Sequence, residues 1–288
     1  MHLNIFVSKK CFVYCKGCYS YSREEKCSCL LPTDTIISFL KYAYSRKIDR
    51  VTLCGGDPLT RHDILELLKR IKDIGFYISM DTVGLNINRD IEKNGEVIYP
   101  KIDASQLSKL VDMIGIPIDG SNNEVINKFR PSNYDFINEQ IKTCNKLYKY
   151  GANICINTVV HKGNLEDSIN IAKLLKNLQY IRKWQFFQFS PIGGTAILNK
   201  SEYEISSDDF EKFKYDILNN INETKCQLEF KKRTDRINNY MLIDNQGNAW
   251  IPIFDSKIKN SSNRKIIGNI SNREDWNIIC NYIFLRGN

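Results

Sequence analysis

The order of predicted elements constrains this fold most, because short apolar strands and amphipathic helices alternate along the first two thirds of the chain. Runs rich in β-branched and aromatic residues predict six strands, at residues 3–8, 50–54, 76–81, 113–119, 153–160 and 184–190. A helical pattern follows each strand, at residues 32–46, 61–75, 104–111, 133–151, 165–178 and 206–221. Consecutive parallel strands need such right-handed crossovers. Six strands fall short of an eight-stranded barrel, so we predict an α/β fold, a partial (β/α)6 TIM-like barrel of parallel strands.

The ends of the helices and the last third of the chain carry further signals. Thr33 is predicted to cap the first helix, and Gly75 to end the second. A β-hairpin is predicted around residues 245–247, followed by a short strand at 265–270. We therefore predict two domains, a barrel at residues 1–195 and a C-terminal β-hairpin/α extension at residues 196–288 that closes the barrel.

Composition and charge limit the classes of partner. No stretch of the 288 residues is long and apolar enough to cross a bilayer. The chain starts MHLNIFVSKK, with its charges after the apolar stretch, which is the reverse of a secretory signal. We therefore predict a cytoplasmic protein without a membrane partner. The formal net charge is +8, but the 41 Lys and Arg residues are scattered, which favours anionic ligands and predicts no nucleic-acid partner.

Three of the ten cysteines lie within eight residues, since Cys11, Cys15 and Cys18 follow the first predicted strand. In a reducing compartment, clustered thiols indicate metal or redox chemistry rather than disulfides. A zinc site needs four ligands, which Cys27 or Cys29 could complete, and it would suit a non-enzymatic metal-binding scaffold. An iron–sulfur cluster fits a compact cysteine run better, and three thiols for four irons leave one iron open to a substrate or cofactor. Cys27 and Cys29 could instead belong to a second cluster.

The spacing Cys11-x3-Cys15-x2-Cys18 on the loop after strand one resembles the cluster motif of the radical S-adenosylmethionine (SAM) enzymes, which share the six-stranded partial barrel. The resemblance implies a [4Fe–4S] cluster held by these cysteines, with SAM chelated at the open iron. It also implies that one electron, from a flavodoxin- or ferredoxin-type donor, cleaves SAM to a 5′-deoxyadenosyl radical that takes a hydrogen atom from an organic substrate. The family's common aromatic residue before the last cysteine is replaced by Gly17 here, and Tyr19 is predicted to cover the adenine face instead.

Further cofactor contacts are predicted at the carboxyl ends of the other strands, where parallel α/β folds collect their chemistry. The segment LCGGDP after strand two resembles the family's Gly-Gly-Glu segment, in which two glycines bring backbone carbonyls close to the SAM ammonium. The predicted contacts are Gly55, Gly56, Asp57 and Pro58 in this segment, Asp119 and Ser121 at the ribose, Arg130 at the methionine carboxylate and Asn157 at the adenine or ribose, with Asp81, Thr82 and Asn86 as further candidates. A solvated loop or a place in the barrel core is the ordinary alternative for each. Cys54 is predicted to pack against a helix.

The order of features along the whole chain resembles the viperin group, whose members dehydrate nucleoside triphosphates. The lysines that grip the triphosphate in that group would fall at about Cys155 and Gln185 here, and Lys183 alone does not replace them. Each lost cation removes charge-assisted contacts of about 1.5–3 kcal/mol, which argues against a triphosphate. We therefore predict a small nucleotide-like or other anionic metabolite as substrate. The alternatives are a tailoring enzyme that epimerises or cross-links a ribosomal precursor peptide and a glycyl-radical activating enzyme.

Overall fold

The computed structural model describes residues 2–20, 30–178, 180–221, 224–236, 241–253 and 264–286, so Cys27 and Cys29 lie outside the described residues. The strands are β1 (His2–Ser8), β2 (Arg50–Gly55), β3 (Tyr77–Asp81), β4 (Ile91–Lys93), β5 (Glu96–Tyr99), β6 (Met113–Pro117), β7 (Ile154–Val160), β8 (Lys183–Gln188), β9 (Gln227–Lys231), β10 (Leu242–Ile243), β11 (Asn248–Pro252) and β12 (Arg264–Asn269). The α-helices are α1 (Thr33–Ser45), α2 (Ile64–Ile74), α3 (Leu85–Asn88), α4 (Ala104–Leu110), α5 (Asn123–Phe129), α6 (Phe136–Lys149), α7 (Ser168–Asn177), α8 (Gly194–Leu198), α9 (Lys200–Tyr203), α10 (Ser207–Asn220), α11 (Arg233–Arg236) and α12 (Trp276–Arg286).

One large sheet organises the molecule, with strand order β12-β11-β10-β1-β2-β3-β6-β7-β8-β9. All neighbours from β10 to β9 pair in parallel, and the pairs β10–β11 and β11–β12 are antiparallel. Within the described part of the chain, β9 and β12 form the two edges of this sheet. The predicted architecture, an open α/β barrel of parallel strands with antiparallel strands near the C-terminus, is therefore confirmed.

Most predicted elements are confirmed. The six predicted strands are β1, β2, β3, β6, β7 and β8, with ends within two residues of prediction, and the predicted hairpin and final strand are β10–β11 and β12. The prediction missed β9 and the parallel pairing of β10 with β1, because pairing between strands far apart along the chain leaves no local pattern. Residues after 195 supply α10, which packs on α7, and the strands at both sheet edges; the division at residue 195 stays a prediction.

One prediction about the helix ends is wrong. Thr33 is the first helical residue of α1 and not its cap, because Pro32 occupies the N-cap position and makes no side-chain cap. The hydroxyl of Thr33 instead donates a hydrogen bond to Asp63 at the start of α2. Gly75 ends α2 as predicted, with a φ of +110° that side chains rarely adopt.

The two faces of the barrel wall differ in polarity, because successive side chains of a strand point to opposite sides. Leu53, Ile114 and Ile156 point outward and are fully buried beneath the helices. Burial of each side chain stabilises the fold by roughly 1.5–3 kcal/mol. Asp81 and Gln185, on strands of the same sheet, have the opposite facing and point inward. The helices therefore cover an apolar face, while polar groups collect inside the barrel. In the described segments, no helix has both the length and the apolar character that spanning a membrane requires.

Candidate cofactor site

A cavity of about 250 Å³ lies at the carboxyl ends of the parallel strands. Its wall includes the loops after β1 and β2 and residues from β3, β6, β7 and β8, so it is built from six neighbouring strands. The side chains of Cys11, Cys15 and Cys18 all lie on this wall. The topology thus places the cysteine loop where it faces the ends of the other strands.

The cysteine loop is clamped from two sides by backbone-directed hydrogen bonds. The hydroxyl of Thr195 on α8 accepts a hydrogen bond from the Cys18 amide at 3.1 Å and lies 3.1 Å from the Cys15 carbonyl. On the other side, the Lys16 amide donates to the Phe129 carbonyl at the end of α5, at 2.9 Å. These contacts cross more than a hundred residues of sequence and hold the three thiols on the cavity wall.

Burial keeps the thiols of Cys11 and Cys15 protonated unless a metal binds them. Burial raises the pKa of Cys11 well above its ordinary value and that of Cys15 to about 12, although the Arg130 guanidinium opposes the shift at Cys15. Thiolates, not thiols, bind metals, so loading such a site must release protons. Among the residues that the structure describes, no three His, Cys, Asp or Glu side chains converge closely enough to hold a single metal ion. The three thiols of the loop are therefore spread along the cavity wall and do not converge on one point.

Packing explains why residue 17 is a glycine. A methyl group at Gly17 would lie 2.2 Å from Cε2 of Phe129 and 2.9 Å from Cε2 of Phe189. Any side chain there would have to displace buried aromatic rings. Tyr19 lines the cavity two residues later and packs on Phe6, with 5.8 Å between ring centroids.

The glycine segment after β2 packs its backbone against the cysteine loop. The Gly56 amide donates to the Ser8 carbonyl and the Asp57 amide to the Lys10 carbonyl, both at 2.7 Å. A Cβ at Gly56 would lie 2.2 Å from the Lys10 carbonyl oxygen, and Gly55 has a φ of +126°. Both glycines line the cavity, so they allow the loop after β1 and the segment after β2 to meet without side chains between them.

Asp57 and Pro58 stand behind this wall. The Asp57 side chain is fully buried and accepts hydrogen bonds from the Thr82 hydroxyl at 2.7 Å and the Val83 amide at 2.6 Å. Burial raises the pKa of Asp57 to about 6, although these hydrogen bonds lower it. Asp57 therefore joins the segment after β2 to the end of β3, and Pro58 begins the 3₁₀ turn that Asp57 caps.

Arg130 reaches the cavity from the end of α5 and is held by a buried carboxylate. Its Nε and Nη2 atoms donate to Asp119 Oδ2 at 2.9 and 2.7 Å, and its Nη1 lies 2.8 Å from Cys15 Sγ. Asp119 is fully buried, and its other oxygen accepts from the Val159 amide at 2.8 Å. Ser121 points away from the cavity, because its amide and its hydroxyl both donate to Asp167.

A polar pair lies across the cavity from the cysteine loop. The Asn157 side-chain amide donates to Asp81 Oδ1 at 2.8 Å, and both residues line the cavity. Gly115 lies between their strands, and a Cβ there would be 2.1 Å from Asp81 Oδ1. Thr82 also lines the cavity, whereas the buried Asn86 donates to the Leu59 carbonyl. This side therefore offers hydrogen-bonding groups within a rigid wall.

The comparison with family models decides the family. The model of the Radical SAM superfamily matches residues 5–175, which includes the cysteine loop, the glycine segment and strands β1 to β7. This chain belongs to the radical SAM superfamily. It is therefore an enzyme of a family that uses SAM and an iron–sulfur cluster, as the sequence analysis predicted.

Individual relatives agree with this membership. The chain is 25% identical over 256 residues to an S-adenosylmethionine-dependent nucleotide dehydratase of Flammeovirga pacifica, covering 85% of this chain and 80% of the dehydratase. It is 27% identical over 221 residues to an AdoMet-dependent heme synthase of Methanosarcina barkeri, covering 76% of this chain and 58% of the synthase. Its fold is similar to that of Streptococcus suis SuiB bound to S-adenosylmethionine, with a TM-score of 0.68, 15% identity, and coverage of 95% of this chain and 64% of SuiB. The chain thus spans less than two thirds of the synthase and of SuiB.

The radical SAM fold of this chain also places a fourth thiol on the cavity wall. Cys54 is buried and lies among Phe6, Leu242 and Trp250 inside the barrel. The prediction that it packs against a helix is therefore wrong, because its register on β2 points it to the inner face. Counting strand alternation from the outward-facing Leu53 would have identified this orientation.

Proposed function

We propose that Cys11, Cys15 and Cys18 each bind one iron of a [4Fe–4S] cluster and that the fourth iron, without a protein ligand, binds SAM. The observation that carries this proposal is that the three thiols of one loop and the two glycines of the segment after β2 line the same cavity. When bound, the cluster supplies the electron that cleaves SAM to a 5′-deoxyadenosyl radical, which takes a hydrogen atom from the substrate.

The chain's own residues then have distinct tasks. We assign the backbone carbonyls at Gly55 and Gly56 to the SAM ammonium, and Tyr19 and Asn157 to its adenosyl part, because all four line the cavity. Arg130 also lines the cavity, which supports its predicted contact with the methionine carboxylate, and it donates a charge-assisted hydrogen bond that favours the thiolate of Cys15.

Other residues support that arrangement from behind. Asp57 and Pro58 shape the glycine segment from its buried side. Asp119 is fully buried and accepts from Arg130 and the Val159 amide, which supports a role through Arg130 rather than the predicted ribose contact. The bonds of Ser121 to Asp167 support a role in ordering the loop after β6 rather than a ribose contact.

We propose a small nucleotide-like or other anionic metabolite as substrate. Support comes from the nucleotide dehydratase that is 25% identical over 85% of this chain, and from the net charge of +8. We expect a flavodoxin- or ferredoxin-type protein to deliver the electron, and the cytoplasm as the compartment, because cluster-binding thiols need a reducing environment.

Anaerobic reconstitution tests the site. We expect about four irons and four sulfides per chain, and 5′-deoxyadenosine on reduction in the presence of SAM. Cys15→Ala should lose both iron and 5′-deoxyadenosine formation. Cys54→Ala, which removes the fourth thiol of the same wall, should keep both. Loss of the cluster in Cys54→Ala as well would show that the protein closes the fourth position, which refutes SAM binding there.

A further inference from the structure

A lysine–glutamate cluster, formed by Lys183, Gln185, Glu229 and Lys231, lies on the inner face of β8 and β9. Glu229 Oε1 is 2.7 Å from Lys183 Nζ, and its Oε2 is 3.4 Å from Lys231 Nζ. The Gln185 amide donates to Oε2 at 2.7 Å. Glu229 and Lys231 lie on β9, a strand that the sequence pattern did not predict.

The sheet register shows that this cluster faces the same interior as the cofactor cavity. Asn157, Gln185 and Glu229 are direct neighbours on β7, β8 and β9, and Asn157 lines the cavity. One pair further along, Lys231 neighbours Phe187, and its Nζ lies 5.2 Å from the centroid of that ring, which also lines the cavity. A molecule bound on the cluster would therefore extend toward the cofactor site.

The charge of the cluster is limited by Glu229. Burial raises the pKa of Glu229, but the hydrogen bonds from Lys183 and Gln185 outweigh that effect and hold the pKa below its ordinary value. The carboxylate is thus ionised at neutral pH and bridges the two ammonium groups. The two lysines and the one glutamate of the cluster carry a net charge of +1 (2 − 1), and both lysines keep spare N–H donors. The buried carboxyl of Asp81 also acts on Lys231, but burial raises the pKa of Asp81 and so disfavours its charged form.

We propose that this cluster binds a single phosphate group of the substrate, which makes the substrate a nucleoside monophosphate rather than a triphosphate. The inference rests on the proposed function, because it assumes a nucleotide-like substrate. A phosphate monoester carries about −1.5 to −2 at pH 7, so the net charge of +1 on the cluster offsets at least half of it. Each further phosphate adds negative charge that would face Glu229, and the neutral Gln185 amide, already bound to that carboxylate, offers no extra cation.

Binding to the reconstituted, SAM-loaded enzyme tests the proposal. The probes are the nucleoside, 5′-monophosphate and 5′-triphosphate of adenine, guanine, cytosine and uracil, measured by anaerobic titration calorimetry. In at least one series the monophosphate should bind roughly tenfold more tightly than the nucleoside, and more tightly than the triphosphate.

Two variants and a matched control sharpen the test. Lys231→Gln should weaken monophosphate binding about tenfold. Lys232→Gln should not, because Lys232 has nearly the same side-chain exposure, 38% against 37%, but pairs with Glu211 on the outer face. Glu229→Gln raises the cluster charge from +1 to +2, so it should shift preference toward the triphosphate by about tenfold.

Three results would overturn the proposal: a triphosphate that binds tightest to the unmodified enzyme, equal effects of Lys231→Gln and Lys232→Gln, or no binding by any nucleotide. Iron content and 5′-deoxyadenosine formation without substrate are measured on the same samples. If both are present and no monophosphate binds, only this inference fails. If both are absent, the proposed function fails first.

Discussion

Replacing Asp119 by asparagine should destabilise the protein through Arg130. Asp119 is fully buried, and the Arg130 side chain is 11% exposed, with their closest atoms 2.7 Å apart. Removing one partner of a buried ion pair costs about 3–5 kcal/mol, and we expect about 3 kcal/mol because asparagine can still accept the Val159 amide and Arg130 keeps Cys15. At roughly 2.1 cal/mol/K per residue, 288 residues have an unfolding entropy near 0.6 kcal/mol/K, so Tm should fall by about 5 °C.

Circular dichroism of the metal-free protein under reducing conditions measures this change. Asp34→Asn is the control, because its pair with Arg70 is largely exposed and should cost less than about 1 kcal/mol. The double variant Asp119→Asn/Arg130→Gln should recover part of the loss, since no unpaired charge remains buried. A Tm within about 1 °C of the unmodified protein in Asp119→Asn would refute the reasoning.

Three further changes probe the site and the core. Burial lowers the pKa of His161 from 6.5 to about 4, so its stability contribution is complete above pH 6.5 and lost as pH falls toward 4. As pH falls to 5, the free energy of unfolding of His161→Gln should decrease by about 2 kcal/mol less than that of the unmodified protein. The control His62→Gln changes an exposed side chain and should follow the unmodified protein. Parallel curves of free energy against pH for all three proteins would contradict this. Gly17→Ala, pressing on Phe129, should cost about 1–3 kcal/mol and lower the iron bound on reconstitution; full stability and iron content would count against the clash. Gly115→Ala should cost a similar amount in urea unfolding, because its methyl group overlaps the polar pair beside it; an unchanged midpoint would exclude that overlap.

The sequence predicted those features of the site that depend on neighbouring residues. The spacing of Cys11, Cys15 and Cys18 and the glycine pair at 55–56 are local patterns, and strand and helix periods placed both segments at one rim. The roles beyond these segments were harder to predict. Ser121 follows a strand as expected, yet its bonds to Asp167, 46 residues later, turn it from the cavity.

The sequence by itself therefore determined the family motif, the alternation of strands and helices and the rim on which the chemistry collects, because all three follow from contacts between residues close along the chain. Only the tertiary structure decided which distant groups meet. Arg130 reaches Cys15 across 115 residues, and β9 brings Glu229 between two lysines. Such meetings depend on sheet order and register, which arise from packing of the whole chain and leave no local pattern to read.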